Sequence, residues 1–306
     1  MQTVHADYKK VNTAGGTAVA IGNFDGVHKG HKKLLSVLKE AACERGVPSV
    51  VYTFLEHPRN VILGEGSQKL IYENSAKEKF IGDTGVHTLF FEDFNSVRHL
   101  EAEEFVKEIL IDKLNIKVAV IGTNGKFGKK SLGTSQMLKE FGKRYGFDVF
   151  VVEPVVIGDV VCSSTEVRAA IEAGDFKKCE SLLGRPYSVR GTVVADKRLG
   201  RTYGFPTANI IPDQSQTDIK RGVYATNTHI GEKVYKSITN VGTTSFDNPE
   251  KLRIETHILD FSGDLYGKII EVEFLCYMRG FRKFANTDEL KEQLIKDNNE
   301  VRRMLV

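Results

Sequence analysis

Over the first 185 residues, short apolar runs alternate with stretches of helical periodicity. Residues 17–21 (TAVAI) are apolar or small throughout and stop at a glycine, the pattern of a strand buried on both faces. Residues 31–42 follow, with Leu34, Leu35, Val37, Leu38, Ala41 and Ala42 spaced for one face of a helix. The same pattern predicts strands at 49–54, 87–91, 118–121 and 148–152, a helix end at 77–82, and helices at 101–114 and 135–145. This alternation predicts an α/β domain, a parallel sheet with helices on both faces.

Two further helices are predicted at 164–173 and 176–183, and then the rhythm changes near Arg185-Pro186. The runs 187–194, 222–229, 233–239, 253–260 and 269–277 are β-type and separated by turn residues. They lie too close together for helical crossovers, so they predict an antiparallel β-barrel. Residues 287–305 close the chain as an amphipathic helix, with Thr287 as N-cap and Leu290, Leu294, Ile295, Val301 and Leu305 on its apolar side. The expected domains are therefore 1–185 and 186–306.

Composition narrows the function classes. The chain has 306 residues, long enough for two cores, with 41% hydrophobic and 27% charged residues. A net charge of +3 gives no whole-protein argument for a polyanionic partner. Cys43, Cys162, Cys179 and Cys276 form no C-x-x-C pair and show no zinc spacing, which suits reduced thiols in a cytosolic protein. The N-terminus carries charge without an apolar core, so no secretory signal is expected. No apolar run approaches the roughly 20 residues that span a bilayer.

Two motifs carry chemistry in the first half. After the strand at 17–21 the chain reads Gly22-Asn23-Phe24-Asp25-Gly26-Val27-His28-Lys29-Gly30-His31 and enters a helix. Strand carboxyl ends and helix N-termini bind phosphates, through free N–H groups and the dipole. Gly22, Gly26 and Gly30 let the backbone approach a ligand. His28 and His31, three apart, face the same way on a helical turn, where imidazolium or neutral N–H donors would hold phosphate oxygens. The string is neither a P-loop nor G-x-G-x-x-G. The second motif, Cys162-Ser163-Ser164-Thr165-Glu166-Val167-Arg168, opens a helix that Ser163 or Ser164 can cap, with Arg168 in its first or second turn.

Together these motifs resemble the HxGH and S-S-T-x-x-R motifs of the nucleotidyltransferase superfamily. Over nearly the whole length the chain resembles the bacterial bifunctional riboflavin kinase/FAD synthetase family. The resemblance implies a Rossmann-like FMN adenylyltransferase domain followed by a riboflavin kinase barrel. It implies ATP binding by Gly22, Phe24, Asp25, Gly26 and Gly30 with Ser163, Ser164 and Thr165, and catalytic roles for His28, His31 and Arg168. Phe54, His57 and Pro58 match a family segment near the flavin. Gly122-Thr123-Asn124-Gly125-Lys126-Phe127-Gly128 matches its G-x-[DN]-F-x-F-G loop, placing Asn124 and Phe127 at the flavin. Gly125 stands where the family has an aromatic residue.

In the second half, Gly204-Phe205-Pro206-Thr207-Ala208-Asn209 follows the basic loop Lys197-Arg198-Leu199-Gly200-Arg201. Thr207 hydroxyl and Asn209 carbonyl are hard oxygens suited to Mg²⁺. A glycine in the preceding loop lets backbone N–H groups meet a phosphate, which assigns Gly200 and Arg201 to ATP. Strand alternation puts Glu255, His257 and Leu259 on one face, which a solvated face also explains. The resemblance implies that Glu255 is the base for the ribityl 5′-hydroxyl and that Arg279 belongs to a flavin-side lid. Asn240-Val241-Gly242 matches in order as well. Ala195-Asp196 stands where the family has His-Gly, and Thr244-Ser245 where it has Pro-Thr.

The expected function is phosphorylation of riboflavin to FMN and adenylylation of FMN to FAD, with ATP as co-substrate and Mg²⁺ as cofactor. Riboflavin, FMN, FAD and ATP are the expected partners of a cytoplasmic monomer or weak homo-oligomer, without nucleic acid or membrane. The alternatives are a paralogue keeping one activity and a flavin-binding regulator without turnover.

Overall fold

A computed structural model describes residues 1–195, 204–243 and 252–304. Asp196, Gly200, Arg201, Thr244, Ser245 and Leu305 lie outside the described residues. The chain folds into two compact units, Met1–Glu166 and Val167–Val306.

The first unit is built on β1 (Gln2–His5), β2 (Thr17–Ile21), β3 (Ser49–Phe54), β4 (Thr88–Glu92), β5 (Ile116–Gly122) and, beyond a short β6 (Lys126–Phe127) and β7 (Gly133–Thr134), β8 (Asp148–Val152). They form one sheet in the order β1-β4-β3-β2-β5-β8, with every pairing parallel. The side-chain period of two sorts this sheet into two cores. Val19, Ile21, Val50, Tyr52, Phe90, Ala119 and Ile121 fill one. Ala18, Ala20, Val51, Leu89, Phe91, Val118 and Val120 fill the other.

Helix α1 (Lys29–Arg45) covers the second core with Leu34, Leu35, Leu38, Ala41 and Ala42. Between β3 and β4 lie α2 (Pro58–Leu63) and α3 (Asn74–Gly82). After β4 come α4 (Phe94–Val97) and α5 (Ala102–Glu104), whose capping box joins Glu101 and Glu104, and which runs on as a π-wound turn over Phe105–Lys113. That segment and α6 (Ser135–Tyr145) cover the first core through Val106, Ile109, Leu138 and Phe141. β1, absent from the apolar pattern, is an edge strand with a single buried residue, Val4.

From β2 the chain winds outward through β3 and β4, then returns to place β5 on the other side of β2. The order therefore reverses between β2 and β5, the position where open α/β sheets hold ligands beyond their carboxyl ends. The loop leaving β2 begins at Gly22 and β5 ends at Gly122, so the glycine motifs that start at these two residues both lie at this point.

A two-stranded ribbon, β9 (Val156–Ile157) and β10 (Val160–Val161), leads to α7 (Ser164–Ala173) and α8 (Phe176–Leu183). In the second unit α8 packs on the sheet, its Phe176 ring stacked on Tyr187 and Phe274 and edge-on to Tyr224. The sheet comprises β11 (Tyr187–Thr192), β12 (Thr207–Ile210), β13 (Gly222–Ile230), β14 (Lys233–Thr243), β15 (Leu252–Ile258) and β16 (Ile269–Arg279). All pairings are antiparallel, in the order β11-β16-β13-β14-β15-β12, and a bridge from Val194 to Asn209 brings the two ends together. On one face, buried hydroxyls satisfy each other: Thr226 bonds Ser237 and Thr239, and Thr239 bonds Thr256, at 2.8 to 3.0 Å. The other face, at Val223, Ala225, Ile238 and Leu259, receives Val301 from the terminal helix α9 (Thr287–Met304).

Two details of α9 correct the sequence expectation. Asn286, not Thr287, is the N-cap, because its Oδ1 accepts the Glu289 N–H at 2.9 Å. Ile295 is exposed, while Asp297 occupies the buried seam beside Val301. Asp297 is tolerated there because Arg279 pairs with it.

Candidate functional site

The Gly22–His31 loop is held by its own chain. Gly22 N–H bonds the Tyr52 carbonyl at 3.2 Å, and Thr53 hydroxyl bonds the Asn23 carbonyl at 3.1 Å. Asp25 is buried, and its Oδ1 accepts the Ile71 N–H at 3.0 Å. Phe24 and Val27 are buried with φ of 49° and 40°, a left-handed backbone that costs a β-branched residue most. Gly26, at φ 79°, has no room for a side chain, since a Cβ would sit 2.7 Å from Ile71. Phe24 and Asp25 thus shape the loop from inside.

This scaffold sets His28 as the N-cap of α1. Its Nδ1 accepts the His31 N–H at 3.4 Å and stands 3.6 Å from Cys162 Sγ. Its ring stacks on His31 with centroids 3.7 Å apart. His31 also meets Phe24 at 5.1 Å, and its Nδ1 is buried with no hydrogen-bond partner. Burial, His28 and Lys77 hold the His31 pKa well below the usual histidine range. Gly30 faces this pair closely, for a Cβ there would lie 3.1 Å from the His28 ring. The result is a helix N-terminus with two oriented imidazoles, a geometry suited to phosphate oxygens.

At the second motif, Ser163 is the helix cap, its Oγ accepting the Glu166 N–H at 3.3 Å. Ser164 instead donates to the Asp25 carbonyl at 2.9 Å, which brings the start of α7 to the β2 loop. Thr165 is exposed, and Arg168 is half-buried one helical turn beyond Ser164.

The other candidates in this unit divide by burial. His57 caps α2, with Nδ1 accepting the Arg59 N–H at 3.2 Å and Pro58 in the first turn. Phe54 is half-buried, edge-on to Phe94. Asn124 is exposed on the loop after β5, whereas Phe127 packs into the core against Phe105. At Gly125 a Cβ would lie 2.3 Å from Ile121 Cγ1, so this loop path excludes the aromatic side chain of the family pattern.

In the barrel unit, Asn209 of β12 lies directly opposite Glu255 of β15, and Thr207 opposite His257. Opposed residues share a face, so these four form one polar patch. Asn209 Oδ1 is buried without a hydrogen-bond partner. Thr207, two residues away on the same face, is half-buried. A carbonyl and a hydroxyl oxygen in this relation are hard donors that fit Mg²⁺. Glu255 also receives Asn240 Nδ2 at 3.5 Å from β14. Arg279 is pinned to Asp297 by Nε at 3.1 Å and Nη2 at 2.5 Å.

Residues 10–166 match the family described as FAD synthetase, and residues 183–305 the family described as riboflavin kinase. The bifunctional riboflavin kinase/FMN adenylyltransferase of Escherichia coli strain K12 is 34% identical over 284 residues, 92% of this chain and 90% of that protein. The protein of the same name from Bacillus subtilis strain 168 is 35% identical over 292 residues, covering 93% and 91%. The chain belongs to the bifunctional riboflavin kinase/FMN adenylyltransferase family. A crystal structure described as a macrolide-efflux protein from Streptococcus pneumoniae matches with a TM-score of 0.89 and 33% identity over 99% of each chain. Among the described residues here, no helix is long and apolar enough to cross a membrane.

Within this bifunctional family fold, one residue of the first site escaped the sequence reading. Lys77 of α3 is buried over the Phe91 ring at 5.7 Å, and burial lowers its pKa to about 8, against the pull of Asp25. Its position in a Lys77–Phe80–Ile81 stripe, where an apolar residue would be expected, is the signal that was available.

Proposed function

We propose that the chain converts riboflavin and ATP to FMN and ADP in residues 186–306, and FMN and ATP to FAD and pyrophosphate in residues 1–185. The observation that carries this reading is that each half leaves a buried polar atom unpartnered at its motif: His31 Nδ1 in the sheet unit and Asn209 Oδ1 in the barrel. Buried polar groups are otherwise almost always satisfied, so both support a bound ligand.

For adenylyl transfer, the N-terminus of α1 and the backbone at Gly22, Gly26 and Gly30 would receive the triphosphate. His28, whose Nδ1 already accepts the His31 N–H, would direct its other ring nitrogen to phosphate as a donor. His31, kept neutral, would add a second donor. Ser163, Ser164, Thr165 and Arg168 complete the set proposed for ATP, with Phe54, His57, Pro58, Asn124 and Phe127 on the flavin side. The FMN phosphate attacks the α-phosphorus directly, so no protein nucleophile is needed.

For phosphorylation, Glu255 would take the proton of the ribityl 5′-hydroxyl as it attacks the γ-phosphorus of ATP. Thr207 and Asn209 would hold Mg²⁺, which supplies neutralisation of phosphate charge. Gly200 and Arg201 are proposed for ATP, and Arg279 for the flavin side. The enzyme is proposed to work in the cytoplasm as a monomer or weak homo-oligomer, without nucleic acid or membrane.

The test is a product assay on pure protein with riboflavin, ATP and Mg²⁺. FMN followed by FAD is expected. Absence of both would overturn the proposal, and FAD from supplied FMN without FMN from riboflavin would leave only the N-terminal activity.

A further inference from the structure

Asn240 and Asn209 flank Glu255 from opposite sides. In the ladder, Asn209 of β12 and Asn240 of β14 are each directly opposed to Glu255 of β15, so the three side chains lie in one row on one face. Asn240 is half-buried, and its Nδ2 lies 3.5 Å from Glu255 Oε2, at the long end of hydrogen-bond range. Its Oδ1 is buried and has no hydrogen-bond partner.

The two ends of this amide are not interchangeable. An ionised carboxylate only accepts hydrogen bonds, so the NH₂ end must face Glu255. The carbonyl end is thereby turned away from it, desolvated and in need of a donor. Metal ligation shared with Asn209 does not fit this row. Neighbouring strands are about 4.8 Å apart, so the two asparagine backbones stand on the order of 10 Å from each other, while Mg²⁺ binds oxygen at about 2.1 Å. What suits Asn240 Oδ1 is a hydroxyl donor on the side of Glu255 away from Asn209.

We propose that Asn240 positions the acceptor substrate of the kinase reaction: its Nδ2 orients Glu255, and its Oδ1 accepts a hydrogen bond from a hydroxyl of the substrate's polyol chain. This rests on the riboflavin kinase reading of the barrel. One side chain then fixes both the base and the chain that carries the reacting hydroxyl. The long Nδ2 contact is expected to shorten when substrate fills the other end.

The experiment measures riboflavin phosphorylation by the wild type, Asn240→Ala and Asn240→Asp across pH. Substrates are riboflavin and analogues in which each non-reacting ribityl hydroxyl in turn is replaced by hydrogen. Asn240→Ala is expected to lower kcat/KM about 10- to 100-fold, as for loss of a buried hydrogen bond to a substrate. One analogue should lose a similar factor on the wild type but little more on Asn240→Ala, because both changes remove the same contact. Asn240→Asp sets a second carboxylate beside Glu255 and should move the acid limb of the kinase profile to higher pH. FAD formation from supplied FMN should be unchanged in the same preparations. Equal losses for every analogue on wild type and variants, with an unmoved acid limb, would overturn the proposal. So would a defect cured by raising Mg²⁺. If Asn240→Ala does not fold, the near-isosteric Asn240→Leu, which also lacks the acceptor, carries the same comparison. A wild type that phosphorylates no riboflavin would instead overturn the underlying kinase reading, an outcome that the variants cannot mimic.

Discussion

The imidazole of His28 lies on that of His31, with centroids 3.7 Å apart and planes 19° from parallel. The contact follows from capping: His28 keeps extended backbone angles, φ −72° and ψ 174°, and turns Nδ1 onto the His31 N–H. Four influences then oppose a charge on His31. Burial is the largest, and His28 and Lys77 add repulsion. The positive end of α1 acts in the same direction. His31 is therefore held as a neutral, oriented ring.

That neutrality makes stability depend on pH. The folded His31 binds its proton only well below 6.5, whereas the unfolded chain takes it up near 6.5. Unfolding thus absorbs a proton in acid, and the contribution present above pH 6.5 is lost as pH falls below it. Between pH 6.5 and 5.5 the loss is about 1 kcal/mol for one such group. His31→Asn should remove that slope. Urea midpoints at the two pH values, with an imidazole NMR titration, check it. A His31 signal titrating near 6.5 would refute the account.

Lys77 should leave its mark on ATP use at alkaline pH. Its proton leaves at about 8 because burial disfavours the ammonium. Below that pH it offers a cation beside His31 at the N-terminal end of α1, proposed to receive phosphate; above it, the cation is gone. The KM for ATP in FAD formation should rise between pH 7.5 and 9 in the wild type. Lys77→Gln should show a high, pH-independent KM, at least about tenfold above wild type at pH 7 for one lost charge contact. Matching wild-type and variant profiles would exclude a role for this charge.

What was legible in the sequence follows from how much of each element is set locally. β2, β3 and β8 are apolar runs bounded by turn residues, and α6, α7 and α8 begin at Thr134, Ser163 and Asp175, whose side chains cap them. Those elements were readable to the residue. The row Asn209–Glu255–Asn240 was not, because strand order and register bring three distant segments together. β1 escaped because an edge strand with only Val4 buried has no apolar run to betray it. Asp297 has no place among the apolar positions expected for α9, since what makes its burial possible is a partner, Arg279, on β16. The motifs themselves were visible because glycine, histidine and asparagine cluster there where packing alone would not place them.

Gly125 allows a test of the loop after β5. Family resemblance suggests that an aromatic residue here would serve the flavin, yet a Cβ would stand 2.3 Å from Ile121 Cγ1 and 2.9 Å from the Gly122 carbonyl. Gly125→Phe should therefore destabilise the sheet unit by about 1–3 kcal/mol and weaken FAD formation. Riboflavin phosphorylation should be unaffected. Adding Ile121→Ala should recover part of the loss by opening space. Thermal melts and FMN-dependent FAD synthesis on single and double variants decide this. A single variant with improved flavin affinity and unchanged stability would show that the loop repacks freely.

The Arg279–Asp297 pair sets what α9 contributes. Asp297 is almost wholly buried, receives Arg279 through two nitrogens and also accepts Gln293 Nε2 at 2.8 Å. Removing Arg279 strands a buried carboxylate, so Arg279→Ala should cost about 3–5 kcal/mol of barrel stability. Arg279→Lys keeps the charge but loses the two-point geometry and should fall between Arg279→Ala and wild type. The double variant Arg279→Met/Asp297→Leu removes both charges and should regain most of the lost stability, as paired hydrophobic replacements often do. If the pair serves only to anchor α9, this stable double variant will phosphorylate riboflavin at close to the wild-type rate. If Arg279 also contacts the flavin, stability returns while the KM for riboflavin stays high. Urea unfolding and kinase kinetics on the same four proteins separate the anchor from the lid.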